Sequence, residues 1–352
     1  MPTETPAGTA AEQASGTART SGTPASVAVL GSYAKALVMT ADRIPAPGET
    51  LIGRDFRGTF GGKGSDMAVQ AARLGAAVSY LGVVGDDVYG AEFRELLAGE
   101  GVDLSGLRVA AGESTGVGFI VKDTAGRNVI VVDPGANGSF SAADVDAAAG
   151  AVRSADVALA QLEIPPATAL HALAVARAAG VTTILNPAPA VDLRGTDLSS
   201  VDVLTPNEHE ARVALGLAPG DPTGPAELGR RLLALGPRAV VVTLGEAGAL
   251  VVTPGGIAEV PPVRVAVVDS NGAGDSFNAG LAVALGEGRD LVAAATFAGA
   301  VAGLCCEYWE TVPSYQDRAT VEAFLATGRP TTASTTAGTT TTSTTTSTEA
   351  RR

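Results

Sequence analysis

Residues 269–280 read DSNGAGDSFNAG, and the run continues as LAVALGEG to residue 288. Phe277, Leu281 and Leu285 recur at i, i+4 and i+8, the spacing of one helical face, so Gly272, Ala273 and Gly274 stand at a helix N-terminus. A helix start leaves backbone N–H groups unpaired and carries the positive end of the helix dipole, which makes an anion site without Lys or Arg. Asp275, just inside that start, would be placed to take a proton from a hydroxyl attacking a phosphoryl group. A helix-capping aspartate on a Gly-rich turn is the other reading of this motif taken alone.

Outward from this stretch, apolar runs alternate with Ala/Leu-rich helical patterns: SVAVLG (26–31), AVSYLGVVG (77–85), DVALAQLE (156–163), VTTILNP (181–187), VDVLTPN (201–207) and RAVVVTLG (238–245). Unbroken apolar strands separated by helices predict an α/β fold, a doubly wound, mostly parallel sheet with helices on both faces. Segments 33–60 and 113–133 break the rhythm with shorter strands, and KDTAGRN (122–128) is a hairpin signal, so a small antiparallel β lid is expected. In such sheets ligands collect beyond the strand carboxyl ends, where Glu163, Asn186, Asn207, Glu210, Thr243 and Gly245 fall. One domain over 26–330 is expected, flanked by disordered tails at 1–25 and, Thr/Ser-rich, at 331–352.

The 352 residues are 46% hydrophobic and only 4% aromatic, which predicts a large core of small aliphatic side chains. A net charge of −13 argues against nucleic acid or an anionic membrane as partner. The two cysteines, Cys305 and Cys306, are adjacent and suggest no disulfide framework; with no signal peptide and no apolar span, a cytoplasmic protein is expected.

A second stretch, GTFGGKGSDMAVQAARLGA (58–76), is a Gly-rich loop entering an amphipathic helix. Lys63 is followed by Gly64 rather than Ser/Thr, so it is no Walker A loop, and it lacks the dinucleotide GxGxxG spacing. Together the two stretches resemble the signatures of the PfkB-type carbohydrate kinases, ribokinase group. The resemblance runs in order through PGET (47–50), GDDVYG (85–90), GANGSFS (135–141), QLE (161–163), NPAPA (186–190), TPNEHEA (205–211) and TLGEAGA (243–249).

That resemblance implies ATP-dependent phosphorylation of a sugar or nucleoside hydroxyl. Asp275 matches the catalytic base, and Gly272, Ala273 and Gly274 the anion hole. Gly62, Lys63, Gly64, Asp66 and Glu163 match sugar-contacting positions, with Ala34 and Ala36 at two more. Thr243, Leu244, Gly245, Glu246 and Gly248 match the nucleotide loop, with Gly274 also near the nucleotide. Asn207 and Glu210 match residues that organise Mg2+ with ATP, through water. Asp269 and Asn271 match ligands of a monovalent cation such as K+. A homodimer paired through the lid is also implied.

Three departures stand out. The pattern GSxNxD becomes GSYAKA (31–36), with Ala34 and Ala36 in place of both polar residues; GGKGAN becomes GGKGSD; and CCEYWETVPSY (305–315) lacks the usual GA turn. Lost sugar contacts beside retained phosphoryl machinery imply a substrate other than free ribose. Lys35 is read as a solvated lid residue, with a turn inward toward an acidic group as the other reading. Two other readings are a nucleoside kinase and a non-catalytic sensor on a decayed kinase fold. GESTG (112–116) fits the serine-hydrolase pattern GxSxG, but a strand-like VGFIV follows where a helix is required. His171 and His209 lack zinc-ligand spacing.

Overall fold

The computed structural model describes residues 24–125 and 127–328. The expected tails, 1–25 and 331–352, lie outside these apart from Pro24 and Ala25; Ala25 is buried, and its carbonyl accepts the Ala77 N–H at 2.8 Å.

The chain runs β1 (Ser26–Leu30), β2 (Ala34–Ala41), β3 (Arg54–Gly61), α1 (Lys63–Arg73), β4 (Ala77–Gly85), α2 (Val88–Gly99), β5 (Asp103–Ala110), β6 (Gly116–Asp123) and β7 (Asn128–Asp133). It continues through α3 (Ala142–Ala147), α4 (Ala149–Ser154), β8 (Val157–Gln161), α5 (Pro166–Ala178), β9 (Thr182–Asn186), β10 (Val203–Leu204), α6 (Glu208–Ala214) and α7 (Pro225–Leu233). It closes with β11 (Ala239–Thr243), β12 (Ala249–Thr253), β13 (Gly256–Val260), α8 (Ala273–Gly286), α9 (Leu291–Cys305) and α10 (Arg318–Thr327). The expected apolar runs became β1, β4, β8, β9, β10 and β11.

Nine strands form the main sheet in the order β5, β4, β1, β8, β9, β10, β11, β12, β13; the first seven are parallel and the last two turn back antiparallel. Strand β8 reads VALAQ with every residue buried, as it must between two helical layers. The strand order reverses at β1, which opens a crevice beyond its carboxyl end. One apolar cluster, including Phe277, Leu281 and Val301, fills one face of the sheet; another, including Leu173, Leu204 and Leu232, fills the other.

The crevice is narrow because two glycines meet there: a Cβ on Gly64 would lie 2.5 Å from Gly31 Cα, so α1 can start directly against the end of β1. Gln70 of α1 donates to the Gln316 carbonyl and accepts from the Ser276 hydroxyl of α8, a buried polar pin between the two helices. The smaller sheet, ordered β3, β2, β6, β7, stands over the crevice. Its outer pairings are antiparallel, the β6–β7 pair forming the expected hairpin, while the central β2–β6 pairing is parallel because residues 42–53 and 62–115 separate its strands.

Candidate active site

Helices α1 and α8 both begin at the crevice after a glycine with positive φ, Gly62 at 94° and Gly272 at 78°, and neither has a side-chain cap. Their ends differ in one respect. Glu163, just past β8, accepts the Lys63 N–H at 2.8 Å and the Ser32 hydroxyl at 2.6 Å, so a carboxylate occupies the start of α1. The start of α8 has no such carboxylate and no side-chain cap; its Ala273 N–H donates to the Ser270 carbonyl at 3.3 Å.

Asp275 lies in that first turn, 6% exposed, with its Oδ1 3.6 Å from Lys63 Nζ and without a hydrogen-bond partner. Burial raises its carboxyl to about 6, against the opposing pull of the Lys63 charge. Asp66, from the first turn of α1, is buried too; desolvation first and the Asp275 charge second raise it well above the ordinary carboxylate range. The Lys63 ammonium is raised chiefly by the Asp275 charge.

A cavity of about 720 Å³ lies under the lid and is lined by Gly62, Lys63, Asp66, Glu163, Gly272 and Asp275, with Ala34 and Ala36 above. Asp269 and Asn271 also line it. Asp269 accepts the Asn271 N–H on one oxygen and the Glu310 N–H on the other, so the departing 305–315 segment occupies the carboxylate expected to hold a monovalent cation. Gly64 does not line the cavity; it is spent on the Gly31 contact.

Asn207 and the 243–248 loop lie outside this cavity but adjoin each other: Asn207 bridges to Thr243, whose N–H donates to Pro206. Asn207 and Glu210 cap each other's backbone at the start of α6. Burial raises the Glu210 carboxyl and outweighs the Asn207 N–H that opposes it. Gly245 and Gly248 take positive φ around a short 3-10 turn that also holds Glu246, and Leu244 closes it by donating to the Gly248 carbonyl. Asn278 ties this side to the start of α8, donating to the Gly274 carbonyl and accepting from Thr205 Oγ1.

One expectation needs correction. Lys35 is not solvated: it is buried, 2.5 Å from Glu92 and over the Phe60 ring. Asn186, at the end of β9, is buried, and its amide donates to the Thr205 carbonyl. Other residues at the site escaped the sequence reading. Asn137 is buried and fixes the start of β2 by accepting the Tyr33 N–H and donating to its carbonyl. Arg57 of β3 stands 2.5 Å from Glu310, and Thr311 donates to the Phe60 carbonyl, so the 305–315 segment also grips the lid. Ser114 of GESTG lies in the loop before β6, with a strand and not a helix after it.

Among the described residues no helix is long and apolar enough to cross a membrane, and no group of three or more His, Cys, Asp or Glu could hold a metal ion.

The pfkB family carbohydrate kinase pattern matches residues 24–318. The chain is 38% identical to mouse (Mus musculus) ribokinase over 261 residues, 73% of this chain and 81% of the relative. It is 34% identical to the deoxyribokinase of Salmonella typhimurium over 254 residues, 71% and 82% respectively. The solved structure of Arabidopsis thaliana ribokinase complexed with ribose and ATP is similar at TM-score 0.78 and 31% identity, covering 86% of this chain and 98% of that one. With a family match over most of its length and a ribokinase relative more than one third identical, the chain belongs to the pfkB family of carbohydrate kinases, in the ribokinase group, and is an ATP-dependent carbohydrate kinase.

Proposed function

We propose that the chain transfers the γ-phosphoryl group of ATP to a primary hydroxyl of a sugar-like alcohol other than free ribose, with Asp275 as general base. The observation that carries this reading is Asp275 itself: a buried carboxylate, with one oxygen unpartnered, in the first turn of the uncapped helix that borders the cavity.

The acceptor hydroxyl lies in the cavity, and Asp275 takes its proton as the oxygen bonds to phosphorus and the bond to the leaving ADP oxygen breaks. The turn Gly272, Ala273 and Gly274 would supply N–H groups to the charge that develops on the phosphoryl oxygens, that of Ala273 by leaving the Ser270 carbonyl it meets at 3.3 Å. Lys63 holds Asp275 in its ionised form and offsets part of the charge. Glu163 fixes the start of α1 and, with Asp66 and Gly62, orients the sugar. The loop Thr243–Gly248 holds the nucleotide. Magnesium, when bound with ATP, screens the phosphate charge; Asn207 and Glu210 fit that ion only through water, because each already caps the other's backbone.

The lid face over the cavity presents Ala34, Ala36, Val38, Ile120, Ile130 and Val132. A wall without hydrogen-bonding side chains at these positions favours a substrate with an apolar part, and a nucleoside is the second reading. The opposite lid face exposes Met39 at 40%, Phe119 at 58% and Val131 at 64%, which supports lid-to-lid pairing in a homodimer. The two free cysteines suit a reducing cytoplasm, and we take the catalytic domain to be residues 26–330.

ADP release measured against a panel of sugars and nucleosides tests this function. Release with at least one panel member supports it; ligand binding with no release from any would favour a sensor.

A further inference from the structure

The carboxyl groups lining the cavity outnumber the cations paired with them. Lys63 stands beside Asp275 and Arg57 beside Glu310, whereas Asp66 and Glu163, lining the same cavity, have no ion-pair partner among the described residues. Glu163 already uses Oε2 for the Ser32 hydroxyl and the Lys63 N–H. Asp66 is only 3% exposed, and its Oδ1 has no hydrogen-bond partner.

A buried carboxylate with an unpaired oxygen costs free energy, which protonation relieves in the empty cavity and a cationic donor relieves when it enters. The nearby charges of Asp275 and Glu163 aggravate that cost. A hydroxyl entering here would supply a hydrogen bond but no charge to hold the carboxyl ionised, and an anionic substituent would be repelled by its carboxylate neighbours. A protonated amine supplies both a donor and a positive charge. The lid does not compete for it, since positions 34 and 36 carry only methyl groups.

We propose, resting on the kinase reading above, that the substrate is a sugar-like alcohol bearing a protonated amine, which Asp66 binds through Oδ1 with Glu163 as the second negative neighbour. The amine is a recognition group and the phosphorylated hydroxyl remains the one facing Asp275.

The test compares matched pairs, ribose with 2-amino-2-deoxyribose and glucose with glucosamine. Binding is measured by calorimetry and turnover by ADP release, in the wild type and in the Asp66→Asn and Glu163→Gln variants. At least one amino sugar should bind about tenfold or more tighter than its hydroxyl partner. Asp66→Asn, which keeps the side-chain shape, should bring that ratio close to one without a large fall in melting temperature, and Glu163→Gln should reduce it in part. Equal or better binding of the hydroxyl sugars, no binding of either member of any pair, or a ratio that survives Asp66→Asn overturns the inference. An amine preference in binding without ADP release would leave it standing and overturn the kinase reading; ADP release without an amine preference does the reverse.

Discussion

Replacing Asp275 by Asn removes the proton acceptor while keeping the volume of a side chain that is 6% exposed. A positioned general base contributes about 10² to 10⁴ in rate, so turnover should fall by that factor while nucleotide binding persists. The pH dependence gives an independent check. Because burial raises Asp275 to about 6, the wild-type kcat/KM should rise with pH through that value and level off above it. At pH 5 roughly a tenth of the molecules would hold the base ionised, so kcat/KM should stand near a tenth of its plateau. The same shift acts on stability. A carboxyl raised in the folded state favours folding while protonated; that contribution is complete below its ordinary value of 3.8 and is lost as pH rises through about 6. The loss amounts to at most ~3 kcal/mol, and Asp275→Asn should remove it, leaving the part due to Asp66, which burial raises as well. ADP-release kinetics from pH 5 to 8 and urea unfolding at pH 4 and 7 measure both effects. Turnover within a few-fold of wild type, or an unchanged pH–stability difference, would refute the assignment.

Gly272→Ala should lower kcat strongly and stability by about 1–2 kcal/mol, because φ is +78° there and the added Cβ would stand 2.7 Å from Tyr315 Oη; kinetics and thermal melting decide, and a neutral result would show that the anion-hole turn can relax. Free ribose should have a kcat/KM roughly 10² to 10⁴ below that of the best substrate, since Ala34 and Ala36 leave two hydroxyls unpaired at about 1–3 kcal/mol each; Ala36→Asp should narrow the gap, and a wild type that prefers ribose contradicts this. Potassium should activate weakly, as both Asp269 oxygens already accept backbone N–H groups; a strong requirement in a sodium-for-potassium exchange would show that the 305–315 segment rebuilds a cation cage. Sedimentation at micromolar concentration should find a dimer, and Phe119→Lys with Val131→Lys should shift it toward monomer.

How much of this was legible in the sequence depends on the distance over which each position is decided. Asp275, Lys63 and Glu163 could be placed from local pattern because each follows from a strand end or helix start within a few residues of itself. Arg57, Glu310 and Thr311 could not: Arg57 meets Glu310 across more than 250 positions, and only the packing of lid against core brings them together. Lys35 shows the intermediate case. Its strand alternates with period 2, and Ala34, Ala36 and Val38 line the cavity. The residue between the two alanines must therefore face away from the substrate, and the pattern carries that much. What it does not carry is Glu92, one turn into α2, which meets the ammonium on that far side while the Phe60 and Tyr89 rings lie beside it. A lysine read from its neighbours alone is thus sent to solvent, although the fold holds it as a strut between lid and core. The same strand that this strut ties to α2 carries Ala34 and Ala36 over the cavity, so a charge pair on one face of β2 and an apolar wall on the other belong to one element.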